Sequence, residues 1–293
     1  DETAAWIGGW HGTDRPVIER PAGVIFAADH GVAQAEVSAY PSDVTASMLQ
    51  AYSKGQATIN AFARAAGADL VAVDVGVGHP TGDIRTESAM SPERFDSVVQ
   101  IAIDTIDALD CDLLVLGEMG IGNTTSAAAL ALALFGGEAT DWVGRGTGVD
   151  AMGVAHKCRV VEAGLEMNPV ARGNGLQALR CLGGRELAAM AGAIARARQA
   201  RIPVVLDGFI CCAAAACLQH ARGDVLDHTV AGHLSAEGSH GKLLARMEKA
   251  PLLSLGMRLG EGSGGAVAIA VVQVAVACLS GMATFAEAGV SDG

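Results

Sequence analysis

Between Leu113 and Thr125 the sequence reads LLVLGEMGIGNTT: an apolar run that meets a glycine-rich turn carrying one carboxylate, Glu118, and then an Asn-Thr-Thr helix start. This is the layout of a phosphate cradle. The Leu and Val residues predict a buried strand ending at Gly117, the glycines at 117, 120 and 122 permit positive φ and close backbone approach, and a helix begins at Thr124. Backbone amides from Gly120 through Ile121, Gly122, Asn123, Thr124 and Thr125, with the two Thr hydroxyls, would then meet an anion at the positive end of the helix dipole. The run matches neither GxGxxG nor a Walker loop, because no Lys precedes the Thr pair and Glu118 stands where a nucleotide loop rarely carries negative charge. On these residues alone, a plain strand-to-helix turn fits equally well. GRGTG at 144–148 offers a second anion-binding turn bearing Arg145 and Gly146, and Lys157 on the following helix would supply compensating charge. The alternative for Lys157 is a solvated helix-surface lysine.

Proton transfer needs a carboxylate of raised affinity, and Glu261 in LGEGSGG is the candidate. Glycines on either side permit an unusual backbone course, and a long apolar helix follows, so desolvation would push its pKa toward neutrality and suit it to act as a general base. The competing reading is a carboxylate at a helix N-terminus, worth less than about 1 kcal/mol. Asp29-His30 and Asp207 each follow a strand candidate and are read as lining the site. In HLSAEGSH, His233, Glu237 and His240 suggest a metal. The outer histidines are seven apart with Gly238 between them, unlike an i, i+4 zinc helix, so no metal is expected and His233 and Ser235 are taken as site-lining.

The elements that must position these groups alternate along the chain. Strands are predicted at Val24–Ala28, Leu70–Val75, Leu113–Leu116 and Val204–Leu206. Helices are predicted at Pro41–Ala66, Pro92–Leu109, Thr124–Phe135, Ala151–Met167, Gly184–Ala200, Gly208–His220, Lys242–Lys249 and Ser263–Leu279. This βα rhythm predicts an α/β fold: a three-layer α/β/α, Rossmann-like parallel sheet whose ligands sit beyond the carboxyl ends of the strands. VDVGVGHPTGD is a glycine-rich loop that reads as lid, turn or binding edge.

With 293 residues, 51% apolar and 18% charged, the chain can bury a large core, and 38 glycines mark many tight turns. A net charge of −12 argues against a nucleic-acid partner. Seven cysteines form no C-x-x-C pair, which points to reduced thiols and a cytoplasmic location. The longest apolar stretch, Ala266–Leu279, falls short of the roughly 20 residues of a membrane span and reads as a core helix.

The segments FAADHGVAQAEVSAYP (26–41), LGEMGIGNTTSAAA (116–129), GRGTGVD (144–150), LGGRELAAMAGAI (182–194), PVVLDGF (203–209), AGHLSAEGSH (231–240), LGMRLGEGSGGA (255–266) and MATFAEAGV (282–290) occur in this order. Together they resemble the nicotinate-nucleotide:dimethylbenzimidazole phosphoribosyltransferases of cobalamin lower-ligand assembly, from about Trp6 to Val290. The resemblance implies transfer of the ribose 5-phosphate of nicotinate mononucleotide to dimethylbenzimidazole or a related base, with no cofactor. It implies Glu261 as the base and Glu118 as a second carboxylate positioning the ribose hydroxyls or supporting a cationic ribose. It places Tyr40, Met48, Met119 and Leu259 around the benzimidazole, although familiar members carry small polar and Gln side chains where Tyr40 and Met48 stand. It further implies a homodimer and an N-terminal arm preceding the segment at 6–12. The expected organisation is one unit over 1–293, with a large α/β domain at 20–250 and a smaller helical subdomain from 1–19 plus 251–293. Two other readings share these residues: a same-scaffold enzyme using another base, and a non-catalytic nucleotide-binding member. The second would be expected to have lost Glu261 or Lys157.

Overall fold

Strand residues alternate between two apolar faces, and that alternation is realised in a sheet buried on both sides. The computed structural model describes residues 2–284 and 286–289, so Phe285 and Val290 of the 282–290 motif lie outside the described residues. The strands are β1 (Pro21–Ala28), β2 (Asp69–Gly76), β3 (Leu113–Met119), β4 (Val204–Leu206), β5 (Thr229–His233) and β6 (Pro251–Leu253). They form a parallel sheet in the order β2-β1-β3-β4-β5-β6. Val24, Phe26, Leu114, Leu116, Val204 and Leu206 point into one core, and Leu113, Val115 and Val205 into another on the opposite face. This period of two, apolar on both sides, is the signature of a parallel sheet covered by helices.

The helices are α1 (Glu2–His11), α2 (Val44–Ser53), α3 (Thr58–Ala65), α4 (Pro92–Asp107), α5 (Asn123–Phe135), α6 (Ala151–Met167), α7 (Gly175–Leu182), α8 (Arg185–Gln199), α9 (Phe209–Ala221), α10 (His240–Arg246) and α11 (Ser263–Gly281). On one face, α8 and α9 lie on the central strands, with α4 against α8 and α5 and α7 against α9. On the other, α2, α3 and α11 cover the sheet and α1 packs on α11. The three-layer α/β/α arrangement expected from the sequence is therefore the one observed.

Several boundaries differ from expectation. The helix predicted over Pro41–Ala66 is two helices, broken after α2 where Gly55 takes φ +71° and Asn60 Oδ1 accepts from the Ala57 amide. β3 continues past Gly117 to Met119, so Glu118 belongs to the strand rather than to a turn. Of the three loop glycines, Gly122 has positive φ (98°), whereas Gly117 serves close approach alone: a β-carbon there would lie 2.4 Å from the Glu261 carbonyl oxygen. β5 and β6 carry no prediction because one contains Gly232 and ends on a histidine, and the other is a three-residue edge beginning with Pro251. α11, at 19 residues and mean hydropathy 2.0, is long and apolar enough to cross a membrane, longer than the expected Ala266–Leu279 run. Its inner side chains Ala268, Ile269, Val272 and Val276 pack with Val115 and Val205 of the sheet. The 69–80 loop is tied down, with Asp74 Oδ1 accepting from the amides of Gly76 and Val77 at 2.8 Å and Arg185 donating to the His79 carbonyl.

Candidate active site

The loops after β3, β4, β5 and β6 converge at the carboxyl ends of their strands and enclose one cleft with about 780 Å³ of empty space, open to solvent. Of the residues expected from the sequence, Glu118, Met119, Gly120, Ile121, Asn123 and Thr124 come from the β3–α5 connection. Leu259 and Glu261 come from the loop before α11, His233 and Ser235 from the end of β5, and Gly146 from the 144–148 turn.

Glu261 occupies the tightest piece of backbone in the cleft. Gly260, Glu261 and Gly262 have φ of 80°, 63° and 81°, and a side-chain-bearing residue there costs roughly 1–2 kcal/mol relative to the right-handed region. Strain of this kind persists where surrounding structure overrides it. The override is Asp207 at the end of β4, whose Oδ2 accepts from the Gly262 amide at 3.1 Å and whose Oδ1 accepts from the Gly265 amide at 2.9 Å. The loop can sink this deep because Gly117 and Gly264 leave it room: a β-carbon on Gly264 would lie 2.1 Å from the His233 ring. His233 Nε2 in turn stands 3.3 Å from Asp207 Oδ1. Burial pushes the Glu261 carboxyl up to about 7; Tyr52 opposes the rise by hydrogen bonding, and Asp207 adds to it by repulsion. Burial likewise pushes Glu118 up to about 8, reinforced by Glu186, Asp207 and Glu261 and opposed by the hydrogen bond from Asn123 Nδ2.

A second cluster closes the other end of the cleft. Lys157 is 1% exposed, not the solvated helix lysine that was the alternative, and its Nζ donates to Thr124 Oγ1 at 2.9 Å and to the Gly144 carbonyl at 3.2 Å. Burial lowers its pKa to about 8. Glu237 is buried against the glycine turn, its Oε1 accepting from the Gly146 amide at 3.1 Å. Arg258 spans the two loops, its Nη2 donating to the Gly146 carbonyl at 3.1 Å and to Glu237 Oε2 at 3.2 Å.

Other expected residues stand apart from the cleft wall. Arg145 is exposed, and its Nε donates to the Val149 carbonyl at 3.0 Å; Arg258 is the guanidinium on the wall. Tyr40 is 56% exposed on a surface segment whose neighbour Ala39 donates from its amide to Thr147 Oγ1, so it walls no slot. Met48 lies one layer back, in an apolar cluster with Met119 and Tyr52. The Thr125 hydroxyl is fully buried, and Gly122 sits against Ala33, which leaves Thr124 as the threonine facing the cleft. Asp29, His30 and Asp207 are behind the wall rather than on it. Asp29 Oδ2 accepts from the Gly78 amide at 2.8 Å, and the buried His30 ring is held between Ser126 Oγ at 3.1 Å and Glu186 Oε1 at 2.5 Å. His233, Glu237 and His240 of HLSAEGSH serve separate contacts: His240 Nδ1 accepts from the Ser235 amide while Glu237 serves the glycine turn.

Sequence reasoning missed Arg258, Tyr52, Thr45 and Glu186. Thr45 and Tyr52 were detectable from Met48: at spacings of three and four along α2 they share its inner face, where Thr45 Oγ1 accepts from the Ile121 amide at 3.3 Å. Arg258 lies only three residues before Glu261, yet nothing in its sequence surroundings distinguishes it from a surface arginine.

Comparison with known proteins gives a family model described as phosphoribosyltransferase matching residues 1–290. A nicotinate-nucleotide–dimethylbenzimidazole phosphoribosyltransferase from Ruegeria pomeroyi is 57% identical over 293 residues, covering 100% of this chain and 86% of that protein. One of the same name from Roseobacter denitrificans is 56% identical over 290 residues, covering 99% and 86%. Among solved structures, CobT from Thermus thermophilus superposes with a TM-score of 0.93 at 38% identity, covering 100% of this chain and 92% of that one.

Proposed function

The chain belongs to the family of nicotinate-nucleotide–dimethylbenzimidazole phosphoribosyltransferases, and from that membership we propose that its cleft transfers the ribose 5-phosphate of nicotinate mononucleotide to dimethylbenzimidazole or a related base. Family membership favours this reading over a non-catalytic member, and both Glu261 and Lys157 are present. The observation that carries it within the molecule is Glu261: a carboxylate held in a strained loop at the cleft wall, with its proton affinity raised to about 7. A base poised near the working pH both accepts and releases a proton readily.

In the proposed mechanism the phosphate lies among Thr124, Gly146, Lys157 and Arg258, where the buried Lys157, the exposed Arg258 guanidinium and a helix start offset its charge. One ring nitrogen of the benzimidazole attacks C1′ as the bond from C1′ to the pyridinium nitrogen of nicotinate breaks. The electron pair of that bond neutralises the ring, so the leaving group needs no acid. The proton on the other benzimidazole nitrogen passes to Glu261, and attack from the opposite face inverts C1′ to give an α-ribazole 5-phosphate. Holding both rings across C1′ contributes several kcal/mol, roughly 7–11 in favourable intramolecular systems. Glu118 is hydrogen-bonded by Asn123 and surrounded by acidic neighbours, so an arriving pyridinium would favour its ionised form, and the carboxylate would then support positive charge on the ribose. No cofactor has a part in these steps.

The reading also includes a homodimer, on family resemblance, a cytoplasmic location supported by the seven free cysteines, and a smaller helical unit made of α1 packed on α11. Mass spectrometry of the products formed from nicotinate mononucleotide with a panel of benzimidazoles, purines and phenols tests the function. Release of nicotinate with formation of a benzimidazole ribotide is the expected result; no ribotide from any base would refute it.

A further inference from the structure

The segment HLSAEGSH, 233–240, runs from the end of β5 along the cleft wall and finishes on His240, which is fully buried and is not among the residues that line the cleft. Its ring lies between two fixed partners. The Ser235 amide donates to Nδ1 at 2.9 Å, and Nε2 stands 3.3 Å from Sγ of Cys212 on α9. A backbone N–H can only donate, so Nδ1 carries no proton and the single proton of the neutral ring sits on Nε2, facing the sulfur. Burial favours that neutral ring and pushes its pKa down to about 4, with His233 adding to the fall and Asp207 opposing it. The ring is therefore an acceptor toward Ser235 throughout the neutral range.

From Ser235 the contacts continue to the phosphate end. Ser235 Oγ accepts from the Glu237 amide at 3.2 Å, and the Ala236 amide donates to the Met257 carbonyl at 2.8 Å, next to Arg258. The Glu237 carboxylate then accepts from the Gly146 amide and from Arg258 Nη2. We propose that His240 is a positioning residue for nucleotide binding: it holds the Ser235 amide from behind the wall, sets the 235–237 turn, and through Glu237 fixes where Gly146 and Arg258 stand to receive the phosphate. Without an acceptor at that point the Ser235 amide would be a buried, unpaired donor, and the turn would move to find another partner. The two outer histidines of the segment thus divide its work. His233 stands against Asp207 beneath the Glu261 loop, and His240 holds the part that leads to the phosphate.

This role rests on the reading of the glycine turn and Arg258 as the phosphate site, and the test separates the two. Nitrogen NMR of isotope-labelled wild type, with His240 assigned from its own backbone resonances, should show Nδ1 bare and Nε2 protonated at neutral pH. A proton on Nδ1 overturns the proposal. In His240→Asn, Oδ1 takes the place of Nδ1 and can accept from the same amide, whereas His240→Leu fills the space without an acceptor. The Kd for nicotinate mononucleotide should stay within about threefold of wild type in the Asn variant and rise roughly tenfold or more in the Leu variant. Saturated kcat should remain within about threefold in both, because Glu261 sits on a separate loop held by Asp207. Lys157→Ala is the reference for the phosphate end. If it weakens the mononucleotide and His240→Leu does not, the positioning role falls and the phosphate reading stands; if neither weakens it, both fall. An Asn variant as weak as the Leu variant, or a kcat loss equal to the loss of affinity, would make His240 a general support of the fold and overturn the proposal. Should His240→Leu not fold, a bare Nδ1 in wild type together with preserved affinity in His240→Asn upholds it, and a loss of affinity in His240→Asn overturns it.

Discussion

The two ends of the cleft are built on opposite principles. At the phosphate end nearly every polar group already has its partner: Lys157 is bound to Thr124 and Gly144, Glu237 to Gly146, and Arg258 to both Gly146 and Glu237. At the base end, Glu118 and Glu261 are buried among like charges with raised proton affinity, and Tyr52 and Glu261 each hold an atom without a partner. The first end is a preformed grip whose geometry is set before substrate arrives. On the proposed reading the second is costly when its carboxylates are ionised, and a ligand that brings a proton donor or positive charge relieves it. The comparison shows where this protein concentrates stability and where it gives stability up for chemistry.

Removing the costly carboxylate should have the largest effect. Glu261→Gln should lower turnover by roughly 10²-fold or more while leaving nicotinate mononucleotide affinity nearly intact. In the wild type, kcat should fall as pH drops through about 7, where Glu261 takes up its proton. Steady-state kinetics paired with calorimetry measures both, and a variant within threefold of wild type would reassign the base.

Lys157→Ala attacks the other end. Loss of a buried, hydrogen-bonded cation should weaken the mononucleotide by roughly 10- to 100-fold and leave free dimethylbenzimidazole binding unchanged. Wild-type affinity should also decline as pH rises through about 8, because the lysine then loses the charge that offsets the phosphate. Equal weakening of both ligands in calorimetry would mean that the two ends are not independent.

Gly117→Ala tests the close contact between strand and base loop. The added β-carbon meets the Glu261 carbonyl at 2.4 Å, so the loop must shift, at roughly 1–3 kcal/mol. The expected outcome is a melting temperature lower by several degrees and a kcat loss larger than the change in mononucleotide affinity. If affinity falls and kcat does not, the loop serves binding instead.

The smallest effect concerns stability. Glu261 has a folded-state pKa near 7 against 4.5 for an unperturbed glutamate. Folding therefore favours the protonated form, and its contribution is fully present below about 4.5 and lost as pH rises through 7. Glu261→Gln should thus melt a few degrees above wild type at pH 8.5 and about level with it at pH 4.5, with differential scanning calorimetry as the measurement. A lower melting temperature at pH 8.5 would show that the ionised carboxylate is stabilised by contacts not identified at the base end.

The sheet was legible because Val24–Ala28, Leu113–Leu116 and Val204–Leu206 are continuous apolar runs buried on both faces, and Leu70–Val75, half-buried at the sheet edge, is Val- and Leu-rich apart from Asp74. β5 and β6 were not, since Thr229–His233 and Pro251–Leu253 owe their conformation to neighbours in the sheet rather than to their own residues. Within the site, Glu118 and Glu261 could be singled out because glycines flank them. The misplacements, Arg145, Tyr40 and Thr125, share one cause: a linear pattern says which segment approaches a ligand but not which side chain of that segment turns inward. Arg258 for Arg145 is the clearest case, since the guanidinium at the 144–148 turn comes from a loop more than a hundred residues later.

The inner face of α2 has one more consequence. Thr45, Met48 and Tyr52 occupy a ten-residue helix, whereas Lys157, Glu237, Arg258 and Asp207 all come from segments following β3. The helix is followed by the exposed Lys54 and by Gly55 in its left-handed turn, and the residues just before it, 41–43, are exposed as well. The inner face of α2 and the groups proposed to grip the phosphate thus lie on separate stretches of chain. Substitutions within α2 are therefore expected to alter the packing behind Met119 and Ile121 while leaving the residues proposed to hold the phosphate unchanged.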